Sequence, residues 1–341
     1  MTRRVSVVVS IDTEEDNWEP ARSGVTVENI RELPRLDRFF ERLGIRGTYF
    51  ASYQVMTTAW ARDLIAGLAA SDRVEVGGHL HPWNTPPLRE PFTPRNTMTK
   101  NLPGDLQFEK LRTLTEALTA PLGAPPKSFR TGRYGIGRDT VAALTECGYT
   151  VDSSVTPYIS WREYDDGPSF VGAPISVYRL DPHDVTRASP CGPLIEVPIS
   201  CGFSHRPWSF WAPLYRTLQA PMLRRLHLTG ALARLGVVQR IILSPELQSA
   251  SEMVTLGRRI VAEGLEHLHL TWHSPSLQPG LSPFTPGKAD VDALYGKVET
   301  FLEEISAIAD LAFCTVLEAA QALVPRLRRD EPHPETAQVR T

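Results

Sequence analysis

The chain contains a His-x-His pair, His79 and His81, directly after two glycines. Residues two apart in extended backbone point to the same side, so both imidazoles can bind one divalent metal ion. Gly77 and Gly78 let the backbone adopt unusual dihedral angles or approach a ligand closely. One histidine alone would more often be structural, but two at this spacing favour a metal site.

Four acidic residues form a second candidate cluster: Asp12, Glu14, Glu15 and Asp16. They follow an apolar run at residues 5–11, and the same alternation lets Asp12 and Glu14 face one site. A solvated acidic loop would have a similar composition. Four acids directly after a buried strand are nevertheless more than a turn requires.

Three further clusters each contain one polar candidate, namely Arg130, Asp152 or His273. Arg130 stands in a glycine-rich stretch, where a buried guanidinium could hold a carboxylate ionised and correctly aimed. A surface arginine in a turn would explain the same residues. Asp152 and His273 indicate little when each is taken alone.

The elements that must position these residues alternate between strand and helix patterns. Apolar and β-branched runs predict strands at residues 5–11, 47–50, 74–76, 127–129, 149–153, 194–199 and 268–272. Helices are predicted at residues 28–43, 58–70, 105–118, 139–146 and 290–309. Such alternation indicates an α/β fold in which helical crossovers join parallel strands.

All five clusters lie at the carboxyl ends of predicted strands. In parallel barrels this face holds the active site, which is built from the ends of several different strands. Five independent clusters would rarely fall there by chance. We therefore expect them to form one active site.

Taken in chain order, the clusters resemble the motifs of polysaccharide deacetylases with a NodB-type domain, a carbohydrate esterase family. Residues 10–14 (Ser-Ile-Asp-Thr-Glu) stand where that family has Thr-Phe-Asp-Asp-Gly. Residues 75–79 (Glu-Val-Gly-Gly-His) resemble the family's Glu-Ile-Gly-Asn and the histidine that follows it. Three later motifs, Arg-x-Pro-x-Gly, Asp-x-Ser and Leu-x-His, have counterparts at residues 130–135, 152–154 and 270–273.

Two departures separate this chain from the family pattern. The adjacent Asp-Asp pair is replaced by Asp12 and Glu14 with one residue between them. The second metal-binding histidine of the family would stand four residues after His79, where this chain has Trp83. His81 is the natural substitute, because it is the other imidazole of the motif.

The resemblance implies a deformed (β/α) barrel of about seven parallel strands that holds one divalent metal ion. The implied metal ligands are Glu14, His79 and His81, and zinc is the expected ion, with cobalt and nickel as alternatives. The implied reaction removes an N-acetyl group from a sugar or glycoconjugate. Two alternatives are a related amidohydrolase acting on a formamide or cyclic ureide, and a sugar-binding protein that has lost the metal.

The same resemblance implies roles for the residues around the metal. Asp12 would be the general base and His273 the general acid, although Asp12 and Glu14 could exchange roles. Arg130 would orient Asp12 and keep it ionised, and Asp152 would position His273. The residues expected to contact the substrate are Trp83, Arg133, Tyr134 and Trp272.

Composition and charge limit the class of protein. A share of 42% apolar and 22% charged residues is typical of a soluble globular protein. The formal net charge of −3 disfavours a nucleic-acid-binding protein. The four cysteines lack paired spacing, which argues against a disulfide framework or a cysteine-based zinc site.

The sequence also gives expectations for location and domain organisation. The apolar run near the N-terminus is too short, and too soon interrupted by acids, for a secretory signal. No segment reaches the length of a membrane span, so we expect a cytoplasmic protein. One barrel domain is expected over residues 1–325, with an irregular insertion at about residues 157–245, followed by a disordered tail at residues 326–341.

The expected insertion contains a segment rich in arginine. Residues 197–245 contain no acidic residue but include Arg206, Arg216, Arg224, Arg225, Arg234 and Arg240. Such a segment could receive an anionic or lipid-linked substrate, or rest peripherally on an anionic membrane surface. A solvated helix balanced by acids elsewhere in space is the simpler explanation of the same residues.

Overall fold

The structure is a computed structural model that describes residues 3–218, 221–224, 228–235 and 237–324. In that part of the chain the strands are β1 (Arg3–Thr13), β2 (Gly47–Ser52), β3 (Val74–Leu80), β4 (Ser128–Thr131), β5 (Val151–Asp152), β6 (Tyr178–Leu180), β7 (Leu194–Glu196), β8 (Cys201–Phe203), β9 (Arg240–Ile242), β10 (His267–His273) and β11 (Ala309–Cys314).

The α-helices alternate with these strands over much of the chain. They are α1 (Leu33–Leu43), α2 (Tyr53–Thr57), α3 (Ala59–Ala69), α4 (Gly104–Leu122), α5 (Arg138–Glu146), α6 (Trp208–Leu218), α7 (Pro221–Arg224), α8 (Leu228–Arg234), α9 (Ala250–Glu263), α10 (Lys288–Ser306) and α11 (Val316–Leu323). Short 3-10 helices occur at Glu28–Glu32, Pro94–Thr97, Thr99–Asn101, Gly132–Tyr134 and Ser274–Leu277.

The strand β1 lies inside a mostly parallel sheet. The strand order is β10-β1-β2-β3-β4-β5-β7-β6, and β11 pairs in parallel with the first half of β1. Within this sheet β6 runs antiparallel to β7, and the other neighbouring pairs are parallel. The expected α/β class with parallel strands is therefore confirmed. Strand pairing in the described part of the chain forms an open path from β10 to β6 rather than a closed ring.

The register of β1 brings the predicted catalytic groups to one end of the sheet. Asp12 pairs with His273 of β10 on one side and with Phe50 of β2 on the other. His79 of β3 pairs with Arg130 of β4. Because these strands are parallel, their carboxyl ends form one edge, and the polar residues at those ends are neighbours.

Alternation along β1 decides which side chains enter the core. Val7, Val9 and Ile11 are fully buried in the main hydrophobic core. The intervening residues Ser10 and Asp12 project from the opposite face of the strand. One strand thus supplies both packing and chemistry.

Proline shortens the first predicted helix. Glu28–Glu32 forms a 3-10 helix, and α1 begins only at Leu33, with Pro34 in its first turn. Proline is tolerated in the first turn of a helix but removes a hydrogen bond in its interior. The expectation of one helix from residue 28 is therefore wrong in its first part.

The segment expected to be an irregular insertion contains part of the main sheet. Its strands β6 and β7 extend that sheet beyond β5, while β8 and β9 form a separate antiparallel pair. The expected tail, residues 326–341, lies outside the described residues. In the part of the chain that the structure describes, no helix is long and apolar enough to cross a membrane.

Candidate active site

A cleft of about 220 Å³ lies at the carboxyl ends of β1, β3, β4 and β10. Eight of the residues singled out in the sequence line it: Asp12, Glu14, His79, His81, Trp83, Arg133, Tyr134 and His273. The loop after β1 adds Asn17, Trp18, Glu19 and Pro20. Tertiary structure therefore brings four of the five sequence clusters to one cleft.

Three side chains in this cleft converge as a metal site requires. Oε2 of Glu14 lies 3.2 Å from Nε2 of His79 and 3.1 Å from Nε2 of His81. One ligand atom from each residue lies within 4.8 Å of the other two, and all three residues are buried. Two imidazole nitrogens and one carboxylate oxygen form a donor set that suits zinc and neighbouring transition metals.

Both histidines are oriented by hydrogen bonds at their second ring nitrogen. Nδ1 of His79 lies 3.0 Å from the carbonyl oxygen of Arg130, and Nδ1 of His81 lies 2.6 Å from Oε1 of Glu15. Asn84 also donates to Glu15, at 2.6 Å. Such contacts fix the tautomer and ring orientation of metal-binding histidines. The residues thus fit a divalent metal ion in both the donor atoms and their supports.

Burial and close charges shift the pKa of these groups. Burial raises the pKa of Glu14, but hydrogen bonds with His79 and His81 outweigh it, so its pKa lies below the ordinary value. Burial lowers the pKa of His81, but the charge of Glu15 and hydrogen bonds to both carboxylates raise it to about 10. The site therefore keeps the Glu14 carboxylate ionised, which is the form that binds a metal ion.

Asp12 is held by a fully buried arginine, as the sequence predicts. Nη1 of Arg130 donates to Oδ1 of Asp12 at 2.7 Å and to Thr271 Oγ1 at 2.6 Å. Nη2 donates to Ser10 Oγ at 2.8 Å, and Nε donates to the carbonyl oxygen of Ser153 at 2.8 Å. Each nitrogen of the guanidinium thus has a hydrogen-bond acceptor, and Oδ1 of Asp12 is fixed. The other carboxylate oxygen, Oδ2, lies 3.8 Å from His273 in the cleft.

His273 is held from the side opposite to Asp12. Its Nδ1 lies 2.8 Å from Oε2 of Glu246, and its Nε2 lies 3.8 Å from Oδ2 of Asp12. Burial lowers the pKa of His273, but Glu246 outweighs burial, together with Glu14 and Asp12, and raises it to about 10. The neighbouring carboxylates therefore favour the protonated form of this imidazole.

The expected role of Asp152 is wrong. Asp152 is fully buried and accepts hydrogen bonds from the backbone N–H and the hydroxyl of Ser154, at 2.9 and 2.8 Å. Glu246, which also accepts from the backbone of His273 at 3.1 Å, is the residue that positions His273. Sequence reasoning missed Glu246 because it lies 27 residues before His273, with no local spacing that links them.

Glu15 is a second residue that supports the cluster and for which the sequence indicated no role. The sequence shows it as one of four neighbouring acids. Because successive side chains of a strand point to opposite faces, Glu15 was expected to point away from the site that Glu14 faces. The chain leaves regular strand geometry after Thr13, so Glu15 can reach His81 from the other side. Only the three-dimensional path of this loop shows the pairing.

The residues expected to contact the substrate separate into two groups. Trp83 stacks on His81 with ring centroids 4.1 Å apart, and Tyr134 stacks on Trp161 at 5.2 Å. Arg133 pairs with Asp165 at 2.8 Å and also contacts Thr97. These three expected residues line the cleft.

The backbone of this wall adopts an unusual conformation. Arg133 and Tyr134 have φ angles of 53° and 56°, in the left-handed region that non-glycine residues rarely occupy. Strained residues of this kind persist where the surrounding structure determines them, and they concentrate at functional sites.

Trp272 does not reach the cleft, so its expected contact with substrate is wrong. It is 1% exposed and lies in the hydrophobic core, with its ring 6.1 Å from that of Phe40. Successive side chains of a strand point to opposite faces. Since His273 faces the cleft, its neighbour Trp272 must face the helices.

The described arginines of the arginine-rich segment lie outside the cleft. Arg206 pairs with Glu263 at 2.5 Å, and Arg240 donates to the carbonyl of Tyr158 at 3.0 Å. Arg225 and the side chain of Arg224 lie outside the described part of the structure. The cleft is lined instead by acidic, histidine and aromatic side chains and by Arg133.

Comparisons with known proteins give matches among solved structures. No family model matches the chain, and no curated protein matches it. A structure from Mycobacterium smegmatis, provisionally assigned as a polysaccharide deacetylase, matches with a TM-score of 0.54 at 18% sequence identity. The match covers 97% of this chain and 96% of the Mycobacterium smegmatis chain.

Two further structures are similar over most of their length. One, from Pseudomonas aeruginosa PAO1, carries the same provisional assignment, with a TM-score of 0.51 at 15% identity, covering 94% of this chain and 90% of its own. The other is Puue allantoinase, with a TM-score of 0.51 at 13% identity and the same coverage. The chain therefore shares the fold of these solved structures, and its resemblance to polysaccharide deacetylases is confirmed at the level of the fold.

Proposed function

We propose that this chain is a metal-dependent hydrolase that removes an N-acetyl group from a sugar or glycoconjugate. The observation that carries the proposal is the position of the Glu14, His79 and His81 cluster beside an acid–base pair. That pair, Asp12 and His273, lies on neighbouring strands at the same cleft, where Arg130 holds Asp12 and Glu246 holds His273. Hydrolysis of an amide needs both parts: a means to polarise the carbonyl and groups that move protons.

A divalent ion such as zinc, cobalt or nickel, when held by Glu14, His79 and His81, would supply Lewis-acid polarisation of the amide carbonyl and of water. The chain's own residues account for the proton transfers. Asp12, held in place by Arg130, accepts a proton from the attacking water as the new C–O bond forms. His273 donates its proton to the amide nitrogen as the C–N bond breaks.

The walls of the cleft favour a small ring at the reacting end of the substrate. Trp18, Trp83 and Tyr134 line it, and aromatic faces suit the apolar face of a sugar ring. The cleft volume of about 220 Å³ is below the roughly 300–1,000 Å³ of pockets that take drug-sized ligands. A cyclic ureide or a formamide would also fit, so these substrates belong in the same test.

The proposal is tested by metal analysis together with product release. We expect about one transition metal ion per chain in protein purified without a histidine tag, and its loss in the double variant His79→Ala, His81→Ala. The variants Asp12→Asn and His273→Gln should retain the metal but lose activity by about 10²–10⁴-fold. His205→Ala, at an exposed histidine outside the cleft, is the control for both readouts.

The outcomes distinguish the alternatives. Acetate release from N-acetylated sugars supports the proposed reaction. Hydrolysis of formamides or cyclic ureides alone would replace the proposed substrate while keeping the mechanism. Protein that binds glycans but no metal, even after incubation with zinc, cobalt or nickel, would refute the hydrolase and favour a sugar-binding protein.

A further inference from the structure

The segment that carries α6, α7 and α8 exposes large apolar side chains. The apolar residues concerned are Phe210 (56% exposed), Met222 (85%), Leu228 (36%), Leu235 (76%) and Val237 (41%). We call these five residues the apolar face. Large exposed apolar side chains that lie close together mark contact with another surface, whereas isolated ones are common on any protein.

The apolar face is not the result of a helix that fails to pack. On α6 the side chains of Trp208 and Tyr215, two turns apart, are buried in the main core. Trp208 donates to the carbonyl of Phe203 at 3.1 Å, and Tyr215 donates to that of Val238 at 3.0 Å. Phe210 lies on the other side of the same helix. One side of α6 is therefore anchored, while its outer side carries an apolar residue with no core to enter.

The three helices form one unit. Each of α6, α7 and α8 contacts the other two, and α6 also contacts β8. The apolar residues on them and in the following turn therefore belong to one local unit rather than to distant parts of the protein.

The residues around the apolar face are rich in arginine, which indicates a partner with negative charge. Residues 197–245 contain six arginines and no Asp, Glu or Lys, in a chain whose formal net charge is −3. Arg206 and Arg240 are engaged elsewhere, by Glu263 and by the carbonyl of Tyr158. Arg216 and Arg234 are exposed and form no ion pair with a described residue. Apolar and basic side chains thus occur together in one stretch of sequence that contains no acidic residue.

This combination fits an anionic lipid surface better than a second copy of the chain. At an interfacial helix, apolar side chains enter the boundary between headgroups and acyl chains, while arginines meet the phosphates. A two-fold contact between copies would bring the same basic surface against itself, which is electrostatically unfavourable. We propose that α6, α7 and α8 dock the protein peripherally on an anionic membrane.

Vesicle sedimentation tests the proposal. We expect the full chain to bind phosphatidylcholine vesicles that contain phosphatidylglycerol, not to bind phosphatidylcholine alone, and to be released as salt rises. Arg216→Gln with Arg234→Gln should weaken binding about tenfold or more, because each basic residue near the surface contributes to the attraction. Met222→Ser with Leu235→Ser should weaken binding at every salt concentration, because it removes the apolar insertion.

The matched control is Leu88→Ser with Ile308→Ser, which removes two exposed apolar side chains outside the apolar face. This variant should bind as the wild type does. Thermal unfolding verifies that each variant is folded, and Met222→Ser alone, at the most exposed position, replaces the double variant if that one is destabilised.

Two results would overturn the proposal. One is absence of wild-type binding to the anionic vesicles. The other is a wild-type dimer in light scattering that the Met222→Ser, Leu235→Ser variant converts to a monomer, since the apolar face would then be a subunit interface.

Discussion

At the scale of single residues, the buried carboxyl pair of Asp152 and Glu196 has a structural rather than a catalytic role. Both are fully buried and are register partners on the neighbouring strands β5 and β7, within hydrogen-bonding reach of each other. Burial, followed by the charge of Asp152, raises the pKa of Glu196 well above its ordinary value. Two like charges this close cannot both be buried, so Glu196 keeps its proton in the folded protein.

This proton makes stability depend on pH. Above the ordinary glutamate pKa of about 4.3, the unfolded chain releases the proton that the folded protein retains. The free energy of unfolding therefore falls as pH rises. Glu196→Gln keeps the shape and the acceptor for the backbone N–H of Val155 but removes the ionisation. We expect this variant to become more stable than the wild type as pH rises from about 5 to about 8.

The measurement is urea unfolding at several pH values. Glu303→Gln, at an exposed position of α10, serves as the control and should follow the wild type. A Glu196→Gln protein that loses stability relative to the wild type as pH rises would contradict the retained proton.

At the scale of elements, the loop that follows β3 is held rigid although it has no regular structure. Side chains from other parts of the chain donate hydrogen bonds to its carbonyl oxygens. Arg22 donates to that of Trp83 at 2.9 Å, and Gln54 donates to that of Asn84 at 2.9 Å. The loop begins with His81, so these contacts also fix the position of one candidate metal ligand.

A buried lysine of α4 completes this arrangement. Nζ of Lys110 donates to the carbonyls of Thr85 and Pro87, each at 2.7 Å, and lies 3.3 Å from Oε1 of Glu90. Burial lowers the pKa of Lys110, and Glu90 offsets part of the effect, leaving it at about 8. Arg22 also pairs with Glu90, at 2.6 Å. Two cations and one carboxylate therefore anchor the loop from both sides.

Lys110→Met should loosen the loop and weaken metal binding. Methionine fills the space but leaves two carbonyls and Glu90 without their donor, so the free energy of unfolding should fall by about 3 kcal/mol. The dissociation constant for zinc should rise about tenfold, because His81 loses its fixed position. Competition with a chromogenic chelator measures this constant.

Lys127→Met, at an exposed lysine, is the matched control and should leave both quantities unchanged. An unchanged zinc affinity in Lys110→Met, with a folded protein, would mean that the loop does not position His81.

At the scale of the whole molecule, Arg130 joins distant parts of the chain at one point. It donates to residues 118 positions away at Asp12 and 141 positions away at Thr271. It also bonds to the segment after β5 through Ser153. Four strand ends therefore share one buried cation, which couples the integrity of the sheet to the alignment of the candidate base.

Arg130→Lys should damage stability and catalysis together. Lysine keeps the charge but lacks the planar fork, so several buried acceptors lose their donor. We expect a loss of about 3–5 kcal/mol in the free energy of unfolding and a decrease of about 10²-fold or more in kcat for the substrate identified in the activity screen. Urea unfolding and steady-state kinetics measure the two effects.

The control for Arg130→Lys is Arg112→Lys, at an exposed position of α4. Metal content should remain that of the wild type in both variants, since Arg130 contacts His79 only through its carbonyl oxygen. A stable and fully active Arg130→Lys protein would show that the geometry of the guanidinium is dispensable.

The sequence by itself determined the class of fold and the face that carries the site. Strand and helix periodicity arises from residues a few positions apart, so it can be read along the chain. It placed His79, His81 and Glu14 at the carboxyl ends of strands, and the structure brings these three together. It could not tell which face of β10 meets the cleft, and Trp272 was assigned to the wrong one.

Only the tertiary structure decided which partners support the site. Glu246 holds His273, Glu15 holds His81, and Lys110 holds the loop after β3, each across at least 23 residues of chain. Such pairs depend on which strands and loops become neighbours after folding. Local sequence encodes the periodicity of each element, whereas a buried charge finds its partner through the packing of the whole sheet and its helices.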